Sequence, residues 1–173
     1  VHAERKALAD DLAGLESSRW STPSLCVGWT VRDVLAHMTA TARMTPPRFL
    51  GKVLMAGFSF TSMQSRDIAA ELGATPAETL ARFSAQIMSS THPPGPNDSW
   101  LGEALVHAQD IRKPLGITHA YPTAGAVQVA NFYKGSNLLI GAKNRIAGLS
   151  LRATDTDWQH GSGPNVEGQS WRW

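Results

Sequence analysis

The chain has 173 residues, 42% of them hydrophobic and 17% charged, with a formal net charge of +2, which predicts one folded domain with a sizeable core rather than a disordered segment. The small charge, with Lys and Arg scattered rather than gathered into a stripe with interleaved aromatics, excludes a nucleic-acid partner. The longest apolar stretches, Val53 to Phe60 and Ala124 to Phe132, are too short and interrupted to span a bilayer. The lone cysteine, Cys26, excludes an internal disulfide and a multi-thiolate zinc site, so any metal must be held by His and carboxylate side chains. Val1-His2-Ala3-Glu4-Arg5 lacks the basic region and apolar core of a secretory signal, and the expected location is cytoplasmic.

From the N-terminus, Leu8, Leu12 and Leu15 recur at helical spacing and predict a helix over His2 to Leu15. Glu16 to Trp29, punctuated by Pro23 and Gly28, reads as a loop anchored by Trp20 and Trp29. Thr30 and Asp33 form a capping-box pattern ahead of Val31, Val34, Leu35, Met38 and Ala42, which predicts a second helix to about Arg43. Thr45-Pro46-Pro47 ends it, and Phe49 to Leu72 reads as one or two shorter helices. Their Met55, Phe58, Phe60 and Met63 are read as core, or as the roof of a pocket.

Thr75-Pro76-Ala77-Glu78 predicts the start of another helix, with Thr75 as cap. After the Pro-rich turn at 93–96, Asn97, Asp98 or Ser99 is expected to cap a helix reaching about Leu115. Ala124 to Ile146 predicts a further helix, weakened by Gly135 and Gly141. The tail then changes period. Leu149 to Thr154 alternates as a strand, and Asp155 to Asp157 is expected to turn it into a second strand near Trp158, a small hairpin appended to the helices.

Glu103 and His107 are four residues apart, so a helix projects both from one face, and Asp110 continues the row. By spacing alone a Glu-x-x-x-His pair is more often a solvated helix pair than a ligand pair. His37, at the edge of the apolar face of the second helix, is by itself more often a satisfied boundary histidine than a ligand. Helical bundles nevertheless build metal sites from His and carboxylates of facing helices, and three such ligands leave a position open for water or substrate. Cys26 has no base beside it in sequence and reads as a buried structural thiol. His2, His92, His119 and His160 read as surface or loop residues, and Arg152, Asp155 and Trp158 as scaffold that could also reach a substrate.

The run Pro23 to Met38 resembles the Cys-x-Gly-Trp-x-Val-x-Asp-x-x-x-His segment of the DinB/YfiT-like superfamily, in its mycothiol-dependent maleylpyruvate isomerase-like branch. Gly102 to Arg112 resembles the second signature of that branch, and Leu151 to Trp158 with Gly161 to Pro164 resembles its C-terminal extension. The resemblance implies an all-α fold, a four-helix-bundle core with extra short helices and a small C-terminal β-hairpin. Residues 1–147 would form the metal-binding bundle and 148–173 the hairpin extension of the same domain. It also implies a divalent metal, zinc by donor type, held by His37, Glu103 and His107, and raises that reading above the bland one. Asp110 becomes a candidate for holding a ligand in place or acting as a base, and Arg152 and Trp158 become candidate cofactor contacts.

The function implied is activation of a low-molecular-weight thiol such as mycothiol for transfer to, or isomerisation of, a small electrophile, because a metal-bound thiol is held as the nucleophilic thiolate. Two other readings stay open on the residues: a zinc-dependent hydrolase using metal-bound water with Asp110 as base, and a non-catalytic metal-binding stress-response protein. The partners expected are the thiol and an electrophilic substrate, with neither nucleic acid nor membrane, and a homodimer is allowed.

Overall fold

The computed structural model describes residues 1–137 and 141–171. The described residues are mostly helical, with a small three-stranded sheet near the C-terminal end. No helix among them is long and apolar enough to cross a membrane. They divide into two compact units, residues 1–96 with 106–119, and residues 97–105 with those from Ala120 onward.

In the first unit, α1 (His2–Leu12) buries Leu8 and Leu12 and stops short of the expected Leu15, with Gly14 in the left-handed region at φ 83°. A 3-10 turn, Ser17–Ser21, buries Trp20. Helix α2 (Val31–Ala42) starts with the full capping box: the Thr30 hydroxyl accepts from the Asp33 N–H, and the Asp33 carboxylate accepts from the Thr30 N–H at 2.8 Å. That box and the buried row Val31, Val34, Leu35, Met38 set the rotation of α2, and with it the direction of His37.

Pro46 and Pro47 do more than end the preceding helix. They open α3 (Pro46–Met55), where a missing N–H leaves no hydrogen bond unmade. Helix α4 (Phe60–Glu71) follows, and of the four Met and Phe side chains read as core or roof only Met63 is buried. Met55, Phe58 and Phe60 are 79%, 70% and 55% exposed at the junction of the two helices. Helix α5 (Pro76–Ser84) is capped by Thr75 as expected, but the Glu78 carboxylate accepts from Ala74 rather than from the cap residue.

Within this unit α2 packs against α4 and α5, α1 against α5, and α3 against α4. Arg32 joins α2 to the turn before α5, its guanidinium donating to Thr79 Oγ1 and to the carbonyls of Leu72 and Gly73. Helix α6 (Asn97–Arg112) has Pro96 at its N-cap and no side-chain cap, so none of Asn97, Asp98 and Ser99 serves as expected. Its last turn is anchored by Arg112, fully buried, which donates to Glu4 and, at 2.7 Å, to Asp11 of α1. Glu4 also meets His119 at 3.2 Å, which places that half-buried histidine against the Arg112–Glu4–Asp11 cluster rather than on the surface. Such a cluster is strongly destabilised by loss of one partner, because a buried charge is then left uncompensated.

In the second unit, α7 (Thr123–Tyr133) covers only the first part of the helix expected over Ala124 to Ile146. The chain turns at Lys134 and Gly135, Leu138 to Ile140 lie outside the described residues, and Gly141, at φ 64°, precedes the short α8 (Ala142–Arg145). The first turns of α6 approach α7 closely at Gly102, where an added Cβ would fall 2.8 Å from the Tyr133 ring.

The expected hairpin is present as β1 (Ser150–Ala153) and β2 (Gln159–Gly161), antiparallel with Leu151 opposite His160. A third strand, β3 (Asn165–Gly168), pairs parallel to β1 on its other edge, giving the order β2-β1-β3. Leu151 and Ala153 are buried on one face of the central strand, and Ala104, Leu105, Tyr121, Ala126, Val129 and Ala130 supply the rest of this unit's apolar core.

If the capping box sets α2, Thr30→Ala should cost about 1–2 kcal/mol of stability. Urea denaturation measures it, and a loss below a few tenths of a kcal/mol would show that tertiary packing alone defines the helix start.

Candidate metal centre

His37 lies two turns into α2, on the same helical face as the partly exposed Asp33 and Thr41, and is 9% exposed. Its ring meets Trp29 at a centroid distance of 5.1 Å, tilted by 50°, and His107 at 5.0 Å, edge to face. Burial first, and then the neighbouring His107, push its pKa down from 6.5 to about 3. At neutral pH it is therefore an uncharged imidazole with a lone pair, the form in which histidine binds a metal.

His107 comes from α6. Its Nδ1 lies 2.9 Å from Asp110 Oδ2, one turn on along the same helix. An ionised carboxylate can only accept, so the proton of the neutral ring sits on Nδ1 and the lone pair on Nε2. Histidine ligands are ordinarily oriented through such a carboxylate. Glu103, one turn earlier on α6, completes a group in which one potential ligand atom from each of His37, Glu103 and His107 lies within 4.8 Å of the others. Two imidazoles and a carboxylate are a zinc donor set. Donor atoms around a tetrahedral zinc are about 3.3 Å apart, a spacing that falls inside this limit. The Glu103 carboxylate also acts on Tyr133 of α7, whose phenol is held above its usual range by burial first and by Glu103 second.

Cys26 is where the structure departs from the sequence reading. It is half-buried rather than buried, and its thiol donates to Asp110 Oδ2 at 3.2 Å while Sγ lies 3.7 Å from His107 Nδ1. The turn that carries it is fixed by the Trp29 N–H donating to the Cys26 carbonyl at 3.0 Å and by the Leu25 N–H donating to the Asp110 carbonyl at 3.3 Å. Gly28, at φ 81°, occupies the left-handed position this turn needs. The base that sequence proximity did not supply arrives from 81 residues away. The one local signal was that Cys26 belongs to the same motif as His37.

Arg152 and Trp158, the candidate cofactor contacts, lie in the second unit. Arg152 is exposed on β1, and Trp158 donates its indole N–H to Asn131 at 3.1 Å. Both line a polar concavity of about 800 Å³ with Asp155, Asp157 and Glu167.

Comparison with known proteins adds the family. The model of the mycothiol maleylpyruvate isomerase N-terminal domain matches residues 1–92, more than half of the chain. No curated protein matches it. Among solved structures, the crystal structure of the mycothiol-dependent maleylpyruvate isomerase and that of a histidine-to-alanine mutant of it are similar. Each is 14% identical, with a TM-score of 0.58 over 98% of this chain and 82% of the other. At that identity the likeness is one of fold, mostly helical with a small C-terminal sheet, and it extends beyond the segment that the family model matches. The chain belongs to the mycothiol maleylpyruvate isomerase N-terminal domain family, of DinB-like fold.

Proposed function

We propose that the protein is a metal- and thiol-dependent transferase or isomerase of the maleylpyruvate isomerase type, with His37, Glu103 and His107 holding a divalent ion, zinc by donor chemistry. The observation that carries this reading is the edge-to-face approach of a buried, neutral His37 to His107, with Glu103 within ligand reach. A buried polar ring with no bound ion gains little from that position, whereas a ligand needs it. The family supports mycothiol as the thiol and a small electrophile as its target.

When bound, the ion would supply Lewis acidity that keeps the thiol as thiolate near neutral pH. The chain's own residues prepare for this. His37 enters uncharged, so no proton has to be expelled from it. Asp110 holds His107 in the tautomer that puts the lone pair on Nε2. Glu103 offsets one of the two charges of the ion, leaving net positive charge to hold a sulfur anion, and Trp29 covers the His37 ring. Asp110, engaged by both His107 and Cys26, acts in this reading as a positioning residue rather than as a base. Arg152 and Trp158 are proposed contacts for the cofactor's polar groups.

Zinc affinity should fall in His37→Ala, Glu103→Ala and His107→Ala by more than the roughly 10–100-fold expected for Asp110→Asn, which removes only the outer partner. Competition with a chromophoric chelator measures all four, and unchanged affinity in the three ligand variants would refute the assignment. Turnover of electrophiles by the zinc-loaded protein should require mycothiol, and turnover that ignores the thiol would favour hydrolysis.

A second expectation follows from His37 in the metal-free protein. Its folded pKa is about 3 against 6.5 for the unfolded chain, so between those values the unfolded state binds a proton there that the folded state does not. The stability owed to a neutral His37 is complete above pH 6.5 and is lost as pH falls toward about 3. His37→Asn should flatten the fall of unfolding free energy over this range by about one proton equivalent, and identical slopes in the two proteins would contradict the burial argument.

A further inference from the structure

Cys26 Sγ, His107 Nδ1 and Asp110 Oδ2 form a triangle with edges of 3.7, 2.9 and 3.2 Å. Around a tetrahedral zinc, with Zn–S about 2.3 Å and Zn–N and Zn–O about 2.0 Å, donor atoms are about 3.3–3.6 Å apart. The three edges straddle that range, and the largest misfit, between His107 and Asp110, is removed by opening a hydrogen bond. All three side chains are partly exposed, so an ion can reach them and a fourth position can be filled from solvent.

The geometry is also held in place. Asp110 and His107 are one turn apart on α6, and the Cys26 turn is tied to that helix through the bond from the Leu25 N–H to the Asp110 carbonyl. The Ser24 hydroxyl accepts from the Cys26 N–H at 3.1 Å, which fixes the residue from its other side.

We propose that Cys26, His107 and Asp110 form a second metal position, specific for a thiophilic divalent ion such as zinc, cobalt or cadmium, adjacent to the first and sharing His107 with it. Sulfur, nitrogen and oxygen donors together suit such ions and do not suit magnesium or calcium. Binding sends the Cys26 thiol proton to solvent and shifts the His107 proton from Nδ1 to Nε2, so that the neutral ring offers its Nδ1 lone pair; where Nε2 already holds the first ion, that proton also passes to solvent and the ring bridges as imidazolate. The position needs no mycothiol and none of the ligands His37 and Glu103, so it stands or falls separately from the function proposed above.

The test is cobalt titration without any added thiol, followed by absorbance. In His37→Ala, which impairs the first position, saturating cobalt should still give a near-ultraviolet sulfur-to-cobalt charge-transfer band. The His37→Ala, Cys26→Ser double variant, its helical content checked by circular dichroism, should lose it. Asp110→Asn in the same background should keep the band only at cobalt concentrations raised by more than the roughly 10–100-fold of an outer-partner change, because here a carboxylate ligand is removed. Should the Cys26 variant not fold, protection serves instead: cadmium should slow alkylation of Cys26 by iodoacetamide in His37→Ala but not in His37→Ala, His107→Ala. Visible ligand-field bands without the sulfur band, no cobalt binding by His37→Ala, or a band that survives loss of Cys26 would each overturn the second position. A sulfur band in His37→Ala together with equal zinc affinity of wild type and His37→Ala would instead uphold it and overturn the first.

Discussion

The imidazole of His107 is the point on which the site depends. Its Nδ1 faces Asp110 at 2.9 Å and Cys26 at 3.7 Å, while the ring edge-stacks with His37. A neutral ring has one proton and one lone pair, so fixing the proton toward Asp110 assigns the lone pair to the other nitrogen. Everything nearby follows from that allocation. His37 stays uncharged first because burial penalises its charged form, and second because a charge there would be repelled by any positive charge on His107.

The fold holds that ring by making α6 rigid where it matters. Arg112, five residues beyond His107 and fully buried, is locked to Glu4 and Asp11 of α1. Rotation of α6 would tear a desolvated guanidinium from both carboxylates. Facing it, α2 is fixed by its capping box and by Arg32, which binds the turn between α4 and α5. Both histidines are thus carried by helices, not by loops, and a helix carries Glu103 and Asp110 in fixed order with His107. Side chains carried by such elements are held more precisely than side chains on loops.

Local patterns made part of this readable from the residues. The Thr30–Asp33 box, the apolar row of α2 and the proline at the start of α5 depend on residues within a few positions of each other, and the helices they predict are there. The i, i+4 spacing of Glu103 and His107 likewise puts the two on one helical face. Longer-range features were hidden. Asn165–Gly168 carries no apolar alternation, and it becomes a strand only because β1 offers an open edge. The side chains of Cys26 and Asp110 meet across 84 residues, a contact that no window on the sequence contains. Met55, Phe58 and Phe60 look like core by composition, yet the α3–α4 junction turns them outward. Proline punctuation was legible as a break at Thr45 to Pro47, but the helix it opens was not placed there.

Family membership points to mycothiol-dependent chemistry on a small molecule without naming the atoms that perform it. In the function proposed, those atoms would be donors of His37, Glu103 and His107, with Asp110 and Cys26 against Nδ1 of the shared ring. An anomalous difference map at the zinc edge, from crystals grown with zinc, tests this most directly. The account predicts a peak about 2.0–2.2 Å from a nitrogen of His107 and from donor atoms of His37 and Glu103. A fully occupied zinc whose ligands do not include His107 would contradict it.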